Sequence, residues 1–187
     1  FTIWSKDAKN IQKHVPNSFG LKLVCNFDSF YSKDIIIYRG ADCIQVLIKT
    51  LLDMNDTCNK IIVNLRKLHE HPKLTHAEEL QFLAQKNCYI CDRYNKELVR
   101  DHCHLTGKYR GAACKICNLN FHHIKKDKTG DDIQPQPHVL PIIFHNLRGY
   151  DGHFIIQEAH NYTTNVRSIM QSFEKYMTFS FMNLKFI

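Results

Sequence analysis

Two Cys-x-x-Cys pairs are the residues whose spacing points most directly to chemistry. Cys88 and Cys91 form the first pair, Cys114 and Cys117 form the second, and 22 residues separate the pairs. Each short turn places two thiolates at adjacent corners of a tetrahedron, and two such turns supply the four ligands of a closed zinc site. The spacing therefore predicts one structural Zn²⁺. Free buried thiols and disulfides are the alternatives.

The segment between the pairs, together with the residue after the last cysteine, holds a second reactive group. Asp101, His102 and His104 lie in the run Asp-His-Cys-His, and Asn118 directly follows Cys117. Carboxylate and amide oxygens suit Mg²⁺ or Mn²⁺, and a histidine can take a proton from an attacking water. Metal-assisted phosphodiester cleavage is thus predicted, with Asp101 and Asn118 as magnesium ligands, His102 as base and His104 as a further catalytic candidate. Alternatively, the histidines support the zinc site or bind phosphate.

Positive charge is concentrated around these residues. The net charge is +7, and the stretch from Lys86 to Lys128 holds ten basic and four acidic residues, which gives +6. Such a block is typical of proteins that bind the phosphate backbone of DNA, although a solvated basic surface has the same composition. The candidate DNA-binding side chains in this block are Lys108, Arg110, Lys115, Lys125 and Lys126.

Hydrophobic periodicity indicates the elements that must position these groups. Short apolar runs rich in Val, Ile and aromatic residues predict strands, and apolar positions spaced three and four apart predict helices. Thr75 and Glu78 form the pattern of a capping box, with Leu80 and Leu83 expected on the buried face of the helix that follows. The predicted strands cover residues 21–27, 35–38, 139–144, 176–182 and 184–187, and the predicted helices cover residues 41–52, 61–68, 75–86 and 151–160.

Between residues 87 and 123 this periodicity stops, and Cys, His, Lys and Arg dominate. We expect this stretch to have a ββα arrangement that depends on metal for its order. It would consist of a strand at residues 99–101, a turn at residues 106–108 and a short helix after the last cysteine. Residues 124–138 are polar, with Gly and Pro, and are typical of a linker. We therefore expect an α/β fold formed by residues 1–86 and 139–187 and interrupted by a small zinc-stapled ββα insert.

The string C-x-x-C, DHCH-x-TG-x-x-RG and C-x-x-CN resembles the recombination endonuclease VII family, of the His-Asn-His ββα-metal class. The resemblance implies that Asp101 and Asn118 hold the catalytic metal ion and that His102 is the base. The chain departs from the family at one place. The family carries an acidic residue just after the asparagine, whereas residues 119–121 of this chain are uncharged.

A second motif follows the predicted strand at residues 139–144. Asn146 and Asp151 fit the pattern N-x-x-x-[FY]-D, for which a helix-capping aspartate is the simple alternative. The pattern resembles the second exonuclease motif of B-family DNA polymerases. That resemblance implies that Asp151 binds Mg²⁺ in a 3′–5′ exonuclease site and that Asn146 contacts the DNA strand.

The order of all the motifs resembles one group of these polymerases. YRG at residues 38–40, the cysteine pairs, FHNLRGYD and EKYMTFSFMNLKFI follow one another as in the protein-primed polymerases of Polinton/Maverick transposons, whose exonuclease domain carries an endonuclease-VII-like insert. The resemblance implies an incomplete ribonuclease-H-like exonuclease domain. Its first motif would precede Phe1, and its third motif and the polymerase motifs would follow Ile187.

Three functional hypotheses follow from these patterns. The chain is a DNA-binding proofreading fragment of a DNA-directed DNA polymerase, a stand-alone zinc-containing endonuclease, or a non-catalytic zinc module that grips DNA. DNA is the expected partner in each, and no small-molecule substrate is inferred. Because the chain opens without a signal peptide and lacks an apolar run of membrane length, we expect an intracellular protein without membrane contact. The nucleus is its expected location.

Overall fold

The computed structural model of this chain describes residues 2–3, 12–121, 138–147, 151–172 and 175–187. The chain divides into two compact units. The first unit is formed by Phe1–Cys58 and His138–Ile187, and the second unit by Asn59–Pro137. The predicted insert lies within the second unit. Most of the predicted linker lies outside the described residues.

The described residues form both helices and short strands. The helices are α1 (Cys43–Leu68), α2 (His76–Ala84), α3 (Lys115–Phe121) and α4 (Asp151–Ala159). The strands are β1 (Thr2–Ile3), β2 (Gln12–Lys13), β3 (Ser18–Leu21), β4 (Ile36–Arg39), β5 (Leu98–His102), β6 (Tyr109–Cys114), β7 (Leu140–Ile142), β8 (Val166–Ser172), β9 (Lys175–Phe181) and β10 (Leu184–Phe186).

The first unit is built on a four-stranded mixed sheet with the strand order β7-β10-β9-β8. Strand β10 runs parallel to β7 and antiparallel to β9, and β9 is antiparallel to β8. The buried ring of Phe186 stacks 4.6 Å from Phe179 and 5.4 Å from Phe181, measured between ring centroids. Apolar residues of α1 and α4 complete this core, chiefly Leu47, Ile48, Leu51, Ile155 and Ala159.

The mixed α/β architecture is confirmed, and the predicted elements after residue 138 are present with shifted ends. The predicted strands at residues 176–182 and 184–187 are β9 and β10, and the helix predicted at residues 151–160 is α4. The strand predicted at residues 139–144 is shorter, since β7 ends at Ile142. The finer assignment of a ribonuclease-H-like fold stays a prediction.

The strand predicted at residues 21–27 is wrong. The strand that pairs with β4 is β3, in a register that joins Leu21 to Ile36 and Ser18 to Arg39. Local bonds hold the apolar run after Leu21 in a loop, because the Cys25 N–H donates to the Ser32 hydroxyl at 3.0 Å. Apolar composition alone does not separate a strand from a loop tied by side-chain hydrogen bonds.

The two helices predicted at residues 41–52 and 61–68 are one continuous helix, α1. The eight residues between the two predictions are mostly polar, which interrupts the apolar periodicity, but none of them is Gly or Pro. Nothing in that stretch therefore ends a helix. The Thr57 hydroxyl donates back to the Asp53 carbonyl oxygen at 2.9 Å, within the turn of an uninterrupted helix.

The capping box at the start of α2 is confirmed. The Glu78 N–H donates to the Thr75 hydroxyl at 3.3 Å, and the Glu78 carboxylate accepts from the Thr75 N–H at 2.8 Å. The prediction that Leu80 and Leu83 are buried is wrong, since they are 55% and 67% exposed. Phe82 of this helix makes a cation–π contact, in which the Arg100 guanidinium lies 4.2 Å from the centroid of the Phe82 ring.

Among the described residues, no helix has both the length and the apolar content needed to cross a membrane.

Candidate metal centre and adjoining polar cluster

The four cysteines of the two pairs come together in the second unit. The sulfur atoms of Cys88, Cys91, Cys114 and Cys117 all lie within 4.8 Å of one another, a spacing at which they can hold one metal ion. Four thiolates around a single ion form the closed set typical of structural zinc. Among the described residues, no other cluster of His, Cys, Asp or Glu has this geometry.

The first pair lies in a tight turn that is tied to strand β6. The Cys88 N–H donates to the Arg93 carbonyl oxygen at 3.0 Å, and the Asp92 N–H donates to the Cys88 carbonyl oxygen at 2.8 Å. Asp92 closes the turn with a φ of 54°, a conformation that Asp adopts more readily than most residues. The Tyr89 N–H donates to the Ala112 carbonyl oxygen at 2.9 Å, which ties the turn to the strand.

The second pair spans the junction between β6 and α3. Cys114 is the last residue of the strand, and Cys117 lies in the first turn of the helix. The Cys117 N–H donates a hydrogen bond to the Cys114 sulfur, with 3.5 Å between the nitrogen and the sulfur. Since α3 starts directly after Cys114, the strand, the helix and the first cysteine turn converge on one point.

The donor set fits a thiophilic cation. Burial acts to raise the pKa of the Cys88 thiol, but the backbone N–H groups of Cys114, Cys91 and Ile90 donate to its sulfur and lower that pKa to about 6. Hydrogen bonding with the neighbouring sulfurs, chiefly that of Cys114, raises the pKa of Cys117 to about 12. A divalent ion bound by the four sulfurs would replace their protons.

The predicted ββα arrangement is present beside this cluster. Strands β5 and β6 form an antiparallel hairpin, and α3 packs against both. Asp101 pairs with Gly111 and His102 pairs with Tyr109, so the ladder is irregular and Arg110 is the extra residue of a bulge. Bulges re-aim side chains, and this one directs the Arg110 guanidinium back toward β5.

Asp101 is buried and held from two sides. Its side chain is 0% exposed. The Tyr89 hydroxyl donates to Oδ2 at 2.5 Å, and Nη2 of Arg110 donates to Oδ1 at 2.7 Å. The same Nη2 donates to the His102 carbonyl oxygen at 2.7 Å. A buried carboxylate requires such partners, and Tyr89, Asp101 and Arg110 together form what we call the carboxylate clamp.

Two glycines make room for these contacts. Gly111 has a φ of 154°, and a Cβ there would lie 2.8 Å from the ring of Tyr89. Gly107 has a φ of 70°, and a Cβ there would lie 2.6 Å from Nδ1 of His69. The glycines of the TG and RG dipeptides are therefore needed for backbone conformation and for close approach of a ring.

The two histidines of the hairpin lie on one side, as their alternate positions predict. The rings of His102 and His104 stack with centroids 4.6 Å apart. Nε2 of His102 lies 2.8 Å from the His69 carbonyl oxygen, which fixes the orientation of the ring. On α3, the side-chain oxygen Oδ1 of Asn118 is buried and has no hydrogen-bond partner among the described residues. An orphaned buried amide oxygen is a free site for a cation or a water.

The basic side chains differ in their availability. Arg110 belongs to the carboxylate clamp, and Lys115 lies 2.9 Å from Glu97 in an exposed ion pair. Lys108 is exposed beside the hairpin turn. Lys125 and Lys126 lie outside the described residues. A DNA-binding role for any of these side chains stays a prediction.

The second motif lies in the first unit. Asn146 is exposed, with a φ of 60°, and Asp151 is the exposed first residue of α4. Asp151 lines a cleft of about 400 Å³ together with Phe144 and Phe154. Residues 148–150, between the two motif positions, lie outside the described residues.

Three residues contribute to the second unit without a signal that predicts their roles from the sequence. Tyr89 lies between the cysteines of the first pair, and its position next to Cys88 is the one feature of the sequence that indicates a role for it. The Gln85 side chain accepts from the Ala112 N–H at 2.9 Å. His69 contributes a main-chain oxygen, which no sequence pattern reveals.

Residues 65–134 match the recombination endonuclease VII family. The matched segment contains the four cysteines, the β5–β6 hairpin and Asn118, but it covers less than half of the chain. No curated protein and no solved structure matches the chain. The comparisons thus support the first of the two resemblances, and they give no support to the polymerase and transposon resemblance.

The four-cysteine cluster leads to a first prediction. The purified chain should contain one zinc ion, and Cys91→Ser should weaken its binding because three thiolates leave an open site. Metal analysis measures the zinc content. Relative to the unaltered chain, Cys91→Ser should accelerate amide hydrogen exchange more in β5 and β6 than in β9. Cys103→Ser is the control, since this thiol is outside the cluster and should leave the zinc in place. A chain without zinc, or with iron, would contradict the prediction.

The carboxylate clamp leads to a second prediction. Arg110→Met should lower the free energy of unfolding of the zinc-loaded chain by about 3 kcal/mol, because it strands a buried charge. Urea denaturation gives the measurement. Lys115→Met, which breaks the exposed pair with Glu97, is the matched control and should cost about 0–1 kcal/mol. Equal losses in the two variants would show that Asp101 is effectively solvated.

Proposed function

We propose that residues 65–134 form a zinc-stabilised module that binds DNA and cleaves a phosphodiester bond. The observation that carries this proposal is that one family match covers both the four-cysteine cluster and the hairpin with Asp101 and His102. The zinc ion holds the strand ends and α3 together and takes no part in the reaction, since four protein ligands leave no open position.

His102 is the general base in this proposal. Its Nε2 faces a carbonyl oxygen at 2.8 Å, so this nitrogen must carry the proton and donate it. In the neutral ring, Nδ1 is then the proton acceptor. Nδ1 lies 3.5 Å from the Arg100 carbonyl oxygen, too far for a strong hydrogen bond, and is therefore available to an attacking water. His104 stacks on the same ring and limits its rotation.

Asp101 and Asn118 are the candidate ligands of a divalent cation. Within the part of the chain that the structure describes, the buried amide oxygen of Asn118 has no partner, and hard oxygen donors are the ligands that Mg²⁺ or Mn²⁺ prefers. Both oxygens of Asp101 already accept hydrogen bonds, but an ionised carboxylate has further lone pairs to offer. A cation bound there would stabilise the negative charge on the departing oxygen.

Exposed basic residues supply the DNA contacts. Lys86, Arg93, Lys96 and Lys108 are all exposed in the second unit. These side chains, with Lys115, Lys125 and Lys126, neutralise backbone phosphates without regard to base sequence.

A second candidate function concerns the first unit. Asp151 and three phenylalanines, Phe19, Phe144 and Phe154, line one cleft, which supports a metal-binding carboxylate beside surfaces on which bases can stack. We propose that this unit is a ribonuclease-H-like proofreading region of a nuclear DNA polymerase, with Asp151 as a magnesium ligand and Asn146 on the DNA strand. The coding sequence on either side tests it. An in-frame Asp-x-Glu motif upstream and polymerase motifs downstream are expected, and their absence would refute the proposal.

DNA binding should depend steeply on salt. If about four basic side chains contact phosphates, the logarithm of the affinity should fall with the logarithm of salt concentration with a slope of about −4. Fluorescence anisotropy with a labelled duplex gives the slope. Lys108→Gln should reduce its magnitude by about one, and the control Lys49→Gln, an exposed lysine of the first unit, should not change it. Binding that does not respond to salt would indicate a protein partner instead.

Cleavage should depend on His102 and on a divalent cation. The zinc-loaded chain should nick supercoiled DNA with Mg²⁺ or Mn²⁺, and His102→Ala should lose about 10²–10⁴ in rate, the usual contribution of a general base. Zinc content and DNA affinity should stay constant. The control is His76→Ala, an exposed histidine of α2 within the matched segment.

Two outcomes would favour other functions. If the intact chain nicks no DNA with either metal, the module binds DNA without cleaving it. If His102→Ala releases zinc or unfolds the hairpin, the bond to His69 is structural and His102 is not the base.

A further inference from the structure

Tyr89 belongs to two sites at once. Its backbone lies between Cys88 and Cys91 in the first cysteine turn, and its N–H donates to the Ala112 carbonyl oxygen at 2.9 Å. Its hydroxyl donates to Oδ2 of Asp101 at 2.5 Å. One residue therefore connects the zinc ligands to the carboxylate of the proposed cation site.

The geometry leaves this carboxylate little freedom. Asp101 is buried, Arg110 holds its other oxygen, and the Tyr89 hydroxyl prevents rotation about the bond that carries the carboxylate. The ring reaches this position because Gly111 has no side chain, since a Cβ there would lie 2.8 Å from two ring carbons. The cysteine turn, through Tyr89, thus fixes the orientation of the Asp101 carboxylate and of its remaining lone pairs.

We propose that Tyr89 is a positioning residue, through which the zinc-held turn orients the Asp101 carboxylate toward the divalent cation. The inference rests on the proposed function, because it takes Asp101 as a cation ligand. Hydrogen bonds to a ligating carboxylate fix its orientation, and their loss typically weakens metal binding about 10–100-fold.

Tyr89→Phe isolates the hydroxyl. The phenyl ring still fills the space against Gly111, and the backbone bond to Ala112 does not involve the side chain. Tyr94→Phe is the matched control, because Tyr94 follows the same cysteine pair but is 64% exposed. Both variants should retain one zinc ion, measured by metal analysis.

The experiment measures Mn²⁺ binding to the zinc-loaded chain by the electron paramagnetic resonance signal of free Mn²⁺. Tyr89→Phe should raise the dissociation constant about tenfold, and Tyr94→Phe should leave it unchanged. In an Asp101→Asn background, Tyr89→Phe should have no further effect. Nicking by Tyr89→Phe should be slow at limiting Mn²⁺ and recover at saturating Mn²⁺, with the KM for DNA unchanged, a rescue that a purely structural role would not give.

The outcomes separate this inference from the proposed function. A wild-type chain that binds Mn²⁺ but does not nick DNA refutes the cleavage proposal, and the tenfold change in Mn²⁺ affinity then still supports the positioning role. An unchanged Mn²⁺ affinity in Tyr89→Phe overturns the positioning role even if the chain nicks DNA. Zinc loss from Tyr89→Phe, or a wild-type chain that binds no Mn²⁺, also overturns it.

Discussion

The convergence of four cysteine sulfurs within 4.8 Å is the constraint on which the second unit depends. The buried apolar cluster around it consists of Cys88, Ala113 and Cys114, with Leu98, Val99 and Cys117 partly buried against them. Most of these side chains are small, and burying them contributes little against the entropy of ordering a hairpin and a short helix. Zinc binding in comparable small modules contributes about 10–16 kcal/mol, so a zinc ion held by the four sulfurs would supply the stability that a core of this size lacks.

The carboxylate clamp is a second constraint, and it follows from the first. The cysteine turn positions Tyr89, the bulge in β6 directs Arg110, and Asp101 lies between them without exposure to water. An unpaired charge in that position would be strongly destabilising, which explains why an arginine and a glycine occur together after the hairpin turn. Arg110, although it belongs to a block of positive charge, is thus the partner of the buried Asp101 carboxylate.

The two units are stabilised by different physical means. The first has a conventional apolar core in which Phe179, Phe181 and Phe186 stack under α1 and α4. In place of most of such a core, the second has the four-cysteine cluster, a buried ion pair and backbone hydrogen bonds to side chains such as Gln85. A chelator should therefore disturb the second unit and spare the first, whereas loss of a core phenylalanine should do the reverse.

The sequence by itself determined the four-cysteine cluster, the capping box at Thr75, the ββα order and the strands near the end of the chain. Each of these depends on residues close together in sequence or on a ligand type that has few other uses. The sequence could not show that α1 is continuous, since polar residues hide a helix without breaking it. The strand prediction at residues 21–27 failed because side-chain bonds compete with strand pairing. The helical spacing of Leu80 and Leu83 predicted burial, but both side chains are more than half exposed. Only the tertiary structure joined Tyr89 and Arg110 to Asp101 and the His69 carbonyl oxygen to His102. Such contacts depend on a bulge, two glycines and a main-chain oxygen 33 residues away, and residue types along the chain do not encode these distances.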